Sequence, residues 1–186
     1  MKYTIGLGIA ALILMACGQG NEKKNEAAAG SSHTSNPATE NYQPKVTVVK
    51  YEELLEVLRQ QNDTLNVINF WATWCVPCVK ELPYFMATVQ EMKDKPVKLI
   101  LVSLDARSSL DSAVIPFIQK KNFVATHYLL DDNGRMNEWI PKIAADWDGA
   151  IPATALYKNG QQLRFVQGQL SEKELKTFIQ THLTDK

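Results

Sequence analysis

Residues 45–186 predict a three-layer α/β sandwich around a mixed β-sheet. Apolar runs of strand length alternate with amphipathic stretches of helical period. Near the C-terminus, two alternating runs meet across Lys158-Asn159-Gly160, which reads as a hairpin because Asn and Gly both tolerate positive φ. A capping box, Ser171-Glu172-Lys173-Glu174, then opens a last helix. Parallel crossovers followed by a terminal hairpin place helices on both faces of one sheet.

Taken in order, Val46-Thr47-Val48-Val49 is a short first strand. Tyr51, Leu54, Leu55 and Leu58 form one stripe of an amphipathic helix. Leu65 to Phe70 is a buried strand, and a helix follows from Cys75 to about Met92, with Pro83 expected to kink it. Val97 to Val102 is the next buried strand. Ser109 to Lys121 has a weaker helical pattern, spoiled by Pro116, and Thr126 to Leu130 reads as a further strand. Asp131-Asp132-Asn133-Gly134 ends it as a turn. A helical patch over 137–145 precedes the hairpin strands, 154–157 and 162–167. Leu175, Phe178, Ile179 and Leu183 are the apolar face of the last helix.

The N-terminal part has a different character. Lys2 and the apolar run Ile5–Met15 read as an export signal, too short to span a bilayer, which takes about 20 residues. Leu14-Met15-Ala16-Cys17 resembles a bacterial lipobox, which implies cleavage of residues 1–16 and lipidation of Cys17. Two or three acyl chains would hold the protein stably on the extracytoplasmic side of a membrane. A plain secretory peptide is the alternative. Residues 17–44 then supply the lipidated cysteine and a tether poor in apolar groups, with a reach of roughly 30 Å. His33 in this tether has no second ligand nearby and reads as solvated chain.

Of the 186 residues, 45% are hydrophobic and 22% charged, enough for one domain with a proper core. Twenty basic residues balance twenty acidic ones, with no basic block to track a phosphate backbone, so nucleic acid is not an expected partner. Three cysteines do not make a disulfide framework.

Trp74-Cys75-Val76-Pro77-Cys78 carries the chemistry. It follows a strand and opens a helix, where free backbone N–H groups and the helix dipole favour an anion. A thiolate is such an anion and is the reactive form of cysteine. Cys78, one turn later, lies close enough to close a small disulfide ring, and Pro77 is tolerated in the first helical turn. The spacing suits reversible thiol–disulfide exchange.

Residues 69–78 (Asn-Phe-Trp-Ala-Thr-Trp-Cys-Val-Pro-Cys), Pro83 and the later Ile151-Pro152-Ala153-Thr154 resemble the thioredoxin fold. Within it, the chain is most similar to the TlpA/ResA group of extracytoplasmic thiol–disulfide oxidoreductases. The resemblance covers roughly Lys45 to Leu183 and implies a thioredoxin fold with an αβ insertion. It also implies that Pro152 is cis and faces the cysteine pair, with Ile151 offering backbone groups to a substrate chain by strand addition. An ordinary trans proline is the alternative. Trp74 and Pro77 would border the same substrate surface, and Trp71 either shields the site or only packs beneath it.

Thioredoxins of the cytoplasm carry a buried aspartate where Asn69 stands, and asparagine cannot titrate. Glu81 becomes the candidate proton carrier, because it lies on the same helix face as Cys78 and matches a glutamate of the family motif. A solvated acid paired with Lys80 or Lys93 is the alternative. The resemblance implies a catalytic set of Cys75, Cys78 and Glu81 with no cofactor or metal. Protein thiols and disulfides are the expected substrates, apocytochrome c cysteines among them, and a membrane thiol reductase of the Dsb/Ccd type is the expected electron donor. An oxidase of the same fold remains open on the sequence.

Three other readings are weaker. A structural zinc site lacks two further ligands at any usual spacing from Cys75 and Cys78, since only His127 and His182 remain in the domain. A copper-delivery module would use a longer cysteine spacing with a dedicated histidine, for which His127 is the candidate. A peroxidase of the peroxiredoxin type uses a single cysteine in a Pro/Thr setting, which is absent.

Overall fold

The sheet runs in the order β1-β4-β3-β2-β5-β6 in a computed structural model that describes residues 42–183. The expected signal peptide, Cys17, His33 and the tether before Tyr42 lie outside the described residues. The strands are β1 (Val46–Val49), β2 (Leu65–Trp71), β3 (Val97–Ser103), β4 (Thr126–Leu130), β5 (Ala153–Lys158) and β6 (Gln161–Gln167). The helices are α1 (Tyr51–Leu58), α2 (Val76–Glu91), α3 (Ile115–Lys121), α4 (Met136–Ile143) and α5 (Glu172–Leu183). The strands β1, β4, β3 and β2 are mutually parallel, whereas β5 and β6 run antiparallel to their neighbours. The mixed sheet and its element order match the sequence prediction.

Side chains alternate across the central strands. Val67, Trp71, Leu101 and Leu129 face one core with Leu82 and Phe85 of α2, Ile118 of α3, and Leu175 and Ile179 of α5. Ile68, Phe70, Ile100, Val102 and Leu130 face the other, with Leu54 and Leu58 of α1 and Trp139 and Ile143 of α4. Strands buried on both faces read as continuous apolar runs, which is why β2 and β3 are so plain in the sequence. Tyr42 and Pro44 already pack on the unit ahead of Lys45: the Tyr42 hydroxyl reaches His127 Nε2 at 3.3 Å, and Pro44 is buried.

The turn chemistry follows the residues. Asn159 and Gly160 have φ of 50° and 70°, and Lys158 pairs with Gln161 across them, so the hairpin loop is the two-residue form that Asn-Gly favours. Ser171 and Glu174 bond reciprocally: the Ser171 N–H donates to Glu174 Oε2 at 2.9 Å, and the Glu174 N–H donates to Ser171 Oγ at 3.3 Å.

One segment differs from the simple reading. The weak pattern before Lys121 is broken into a tight turn over Arg107–Ser109, a wide π turn over Leu110–Val114, and α3. Pro116 sits in the first turn of α3, where its missing N–H costs nothing, and the wider turn before it absorbs the mismatch. The helix α2 continues through Pro83. Trp147, to which the sequence assigns no role, lies against Phe70, Trp139 and Phe165, and its ring N–H donates to the Ala150 carbonyl at 2.8 Å. It anchors the loop that leads into Ile151-Pro152.

Candidate active site

The strand-to-helix junction after β2 places the cysteines. Trp71 accepts a bond from the Leu104 N–H at 2.8 Å, and the Cys75 N–H closes a turn onto the Ala72 carbonyl at 3.1 Å. Between them, Thr73 is clamped by Asp105. The Thr73 N–H and Oγ1–H donate to the two oxygens of that carboxylate at 3.0 and 2.6 Å, and the Ser103 hydroxyl donates to it at 2.8 Å. Asp105 is buried, so these bonds offset a desolvation penalty as well as hold the loop.

Cys75 is the N-cap of α2, and Cys78 lies in its first turn beside Pro77. The two sulfurs form a disulfide, with Cα atoms 5.3 Å apart. The Cys78 N–H donates to Cys75 Sγ at 3.3 Å, so the first sulfur sits in the bond pattern of an N-cap oxygen. An anion there gains about 0.3–2 kcal/mol from the helix terminus. Cys78 is fully buried while Cys75 keeps 5% exposure, so an incoming sulfur reaches Cys75 first.

The Ile151–Pro152 peptide is cis, as the resemblance implies, and the Ile151 carbonyl oxygen lies 3.6 Å from Cys75 Sγ. Trp74 is 66% exposed beside it, and Val76 and Pro77 are also exposed. A groove of about 450 Å³ opens between Trp74, Leu104, Met136 and Ile151. A larger one, about 630 Å³, runs between β6 and α5 and is lined by neither cysteine.

Glu81 is fully buried, which overturns the alternative of a solvated acid paired with lysine. Its Oε1 accepts a bond from Asn69 Nδ2 at 2.9 Å and its Oε2 one from the Leu170 N–H at 2.8 Å. Burial pushes its pKa above the ordinary 4.5, against the opposing pull of these two donors. Asn69 also donates to Thr154 Oγ1 at 3.2 Å, which joins the acid on α2 to the strand that follows Pro152. Trp71 is buried in the core against Phe117, with its ring N–H unpaired.

His127 stands on β4, where a ring nitrogen lies 2.8 Å from the Phe123 carbonyl and burial pushes its pKa down. His182 is occupied at the end of α5 by the Phe178 carbonyl, 2.7 Å away. Among the described residues, no group of three or more His, Cys, Asp or Glu side chains converges. Sequence reasoning missed Asp105, Thr154 and the Leu170 N–H, whose partners are 32, 85 and 89 residues away along the chain.

Known proteins resemble this chain in sequence and in fold. The sequence profile described as the AhpC/TSA family matches residues 44–166. Thiol-disulfide oxidoreductase ResA of Oceanobacillus iheyensis is 35% identical over 116 residues, which are 61% of this chain and 54% of that protein. The chain therefore spans about half the length of this curated relative. Among solved structures, MTB dsbF, seen in mixed oxidized and reduced forms, is 25% identical with a TM-score of 0.50, over 66% of this chain and 82% of the other. A thioredoxin-family thiol:disulfide interchange protein from Chlorobium tepidum shares the fold at 17% identity and a TM-score of 0.53, over 69% and 83% of the two chains. The chain belongs to the AhpC/TSA family, and it carries on that family's thioredoxin-like fold a paired-cysteine site.

Proposed function

We propose that the protein is an extracytoplasmic, membrane-tethered thiol–disulfide oxidoreductase that reduces protein disulfides through Cys75 and Cys78. The observation that carries this reading is the disulfide at the N-terminus of α2, in which Cys75 alone of the pair keeps any exposure, against the carbonyl that precedes cis-Pro152. The similarity to thiol-disulfide oxidoreductase ResA supports it. Apocytochrome c cysteines are a proposed substrate, and a membrane thiol reductase is the proposed electron donor.

In the reduced protein, Cys75 thiolate attacks a substrate disulfide, forms a mixed disulfide and releases one substrate thiolate. Cys78 then loses its proton, to Glu81 or to water, and its sulfur displaces the second substrate thiolate from Cys75. The protein is left oxidised as the Cys75–Cys78 disulfide, and two electrons have passed to the substrate. Trp74, Pro77 and Ile151 form the surface along which the substrate lies, with Ile151 offering main chain for pairing and the buried cis-Pro152 setting its direction, not itself exposed to the substrate. Electrons return by the same exchange in reverse from the donor.

Cys78→Ser is expected to trap substrates on Cys75 as mixed disulfides on non-reducing gels. Cys75→Ser is expected to trap none and to lower insulin-disulfide reduction by about 10³-fold or more. Equal trapping by both variants, or by neither, would overturn the assignment of Cys75 as the attacking sulfur.

Tethering through Cys17 is proposed from its lipobox setting. Among the described residues, no helix is long and apolar enough to cross a membrane. Cys17→Ser is expected to move the protein from the membrane fraction to the soluble fraction. Retention of the variant on membranes would contradict a lipid anchor.

Glu81 also gives a pH signature. Its folded-state pKa is raised, so the native state holds a proton that the unfolded chain has already released. Its contribution to stability is full below the ordinary value of 4.5 and falls as pH rises through the raised value. Urea unfolding of the oxidised protein is expected to show that decline in the wild type and a flatter profile in Glu81→Gln. Parallel profiles would exclude a raised Glu81 pKa.

A further inference from the structure

Glu81 is fully buried, and each of its oxygens has one donor. The two donors are not equivalent. The Leu170 backbone N–H can only donate, so it needs Oε2 as an acceptor, and a proton on that oxygen would weaken the bond. A proton taken up by Glu81 is better placed on Oε1, the oxygen that faces Asn69, whose amide carries an acceptor as well as a donor. There the present arrangement would set an O–H against the hydrogens of Nδ2.

The structure holds the remedy. Asn69 Oδ1 is buried and has no hydrogen-bond partner. A half-turn of the amide carries Oδ1 to the place of Nδ2, where it accepts the Glu81 proton. Thr154 Oγ1, now the acceptor of the second Nδ2 hydrogen, is a hydroxyl and can rotate to donate to Oδ1 instead. The half-turn exchanges the unpaired Oδ1 for an unpaired Nδ2, so each orientation leaves one end of the amide without a partner.

We infer that Asn69 is a positioning residue that follows the protonation of Glu81, presenting its nitrogen to the carboxylate and its oxygen to the carboxylic acid. The functional use rests on the exchange reading above. As Cys78 gives up its proton, the S–H bond breaks and an O–H bond forms on Glu81 Oε1, and the amide turns to hold it. The proton later leaves to the departing substrate thiolate or to water, and the amide turns back. An aspartate at position 69 would add a second acid to this buried space, and an apolar residue would leave both states of Oε1 unheld. Three influences act on the acid: burial, the Leu170 N–H from the β6–α5 loop, and the Asn69 amide from β2. The redox pair on α2 is the titratable neighbour on its own element, and it is locked as a disulfide in the oxidised form.

The test follows the Glu81 carboxyl carbon and the Asn69 side-chain amide by NMR in the oxidised full-length chain, from about pH 4 to about pH 9. The two are expected to titrate with one shared midpoint. Asn69→Leu removes the partner of both states, so the Glu81 midpoint is expected to stay within about half a unit while the urea midpoint falls at both ends of the range. An Asn69 amide that does not move through the Glu81 midpoint would overturn the inference. So would a rise of about one unit or more in Asn69→Leu, the mark of a fixed donor to the anion. The first measurement needs no variant and stands if Asn69→Leu fails to fold. Insulin reduction by the wild type separates the two levels. Its absence would sink the exchange reading with the shared midpoint intact, and its presence without a shared midpoint would sink the Asn69 assignment alone.

Discussion

The junction between β2 and α2 is the constraint on which the rest of the structure depends. A buried central strand ends at Trp71, and a helix starts directly after Cys75. The few residues between must turn without leaving buried polar groups unpaired, and Asp105 makes this feasible by taking both donors of Thr73. That turn fixes Cys75 as an N-cap with a backbone N–H aimed at its sulfur. It also orients α2 so that Cys78 and Glu81 point inward while Trp74, Val76 and Pro77 remain at the surface. The reactive sulfur, its hidden partner and the buried acid are three consequences of one turn.

The acid itself costs stability. A buried carboxylate with only two neutral donors is poorly compensated, and its raised pKa expresses that imbalance. Packing alone would be better served by an apolar side chain at position 81. The proposed proton transfer from Cys78 makes sense of the expense, because a carboxyl whose pKa is raised accepts a proton more readily than an ordinary one. Asn69 contributes by supplying a polar contact that carries no charge in either state.

The sequence reveals what is local and periodic. The strands β2 and β3, the Asn159-Gly160 hairpin and the Ser171–Glu174 cap are legible because each rests on neighbouring residues alone. The cysteine pair at the start of a helix is legible for the same reason. Glu81 is half legible: helical spacing puts it on the face of Cys78, but only the fold shows that this face is sealed. The Leu170 bond to Glu81 and the Asn69 bond to Thr154 are invisible, since they span 89 and 85 residues and one donor is backbone. Asp105 is hidden likewise, as an acid just beyond a strand is far more often solvated than clamped. The π turn before α3 is a compromise between an amphipathic pattern and Pro116, which periodicity alone does not resolve.

The direction of electron flow through Cys75 and Cys78 is the centre of the account, and their reduction potential measures it most directly. Equilibration of the full-length protein against a defined thiol–disulfide buffer, with the pair alkylated in intact cells, reads both the potential and the working state. A reductase is expected to lie near thioredoxin, at roughly −270 mV, with a substantial dithiol fraction in cells. A potential near roughly −120 mV, with the pair held as the disulfide in cells, would contradict reduction as the function.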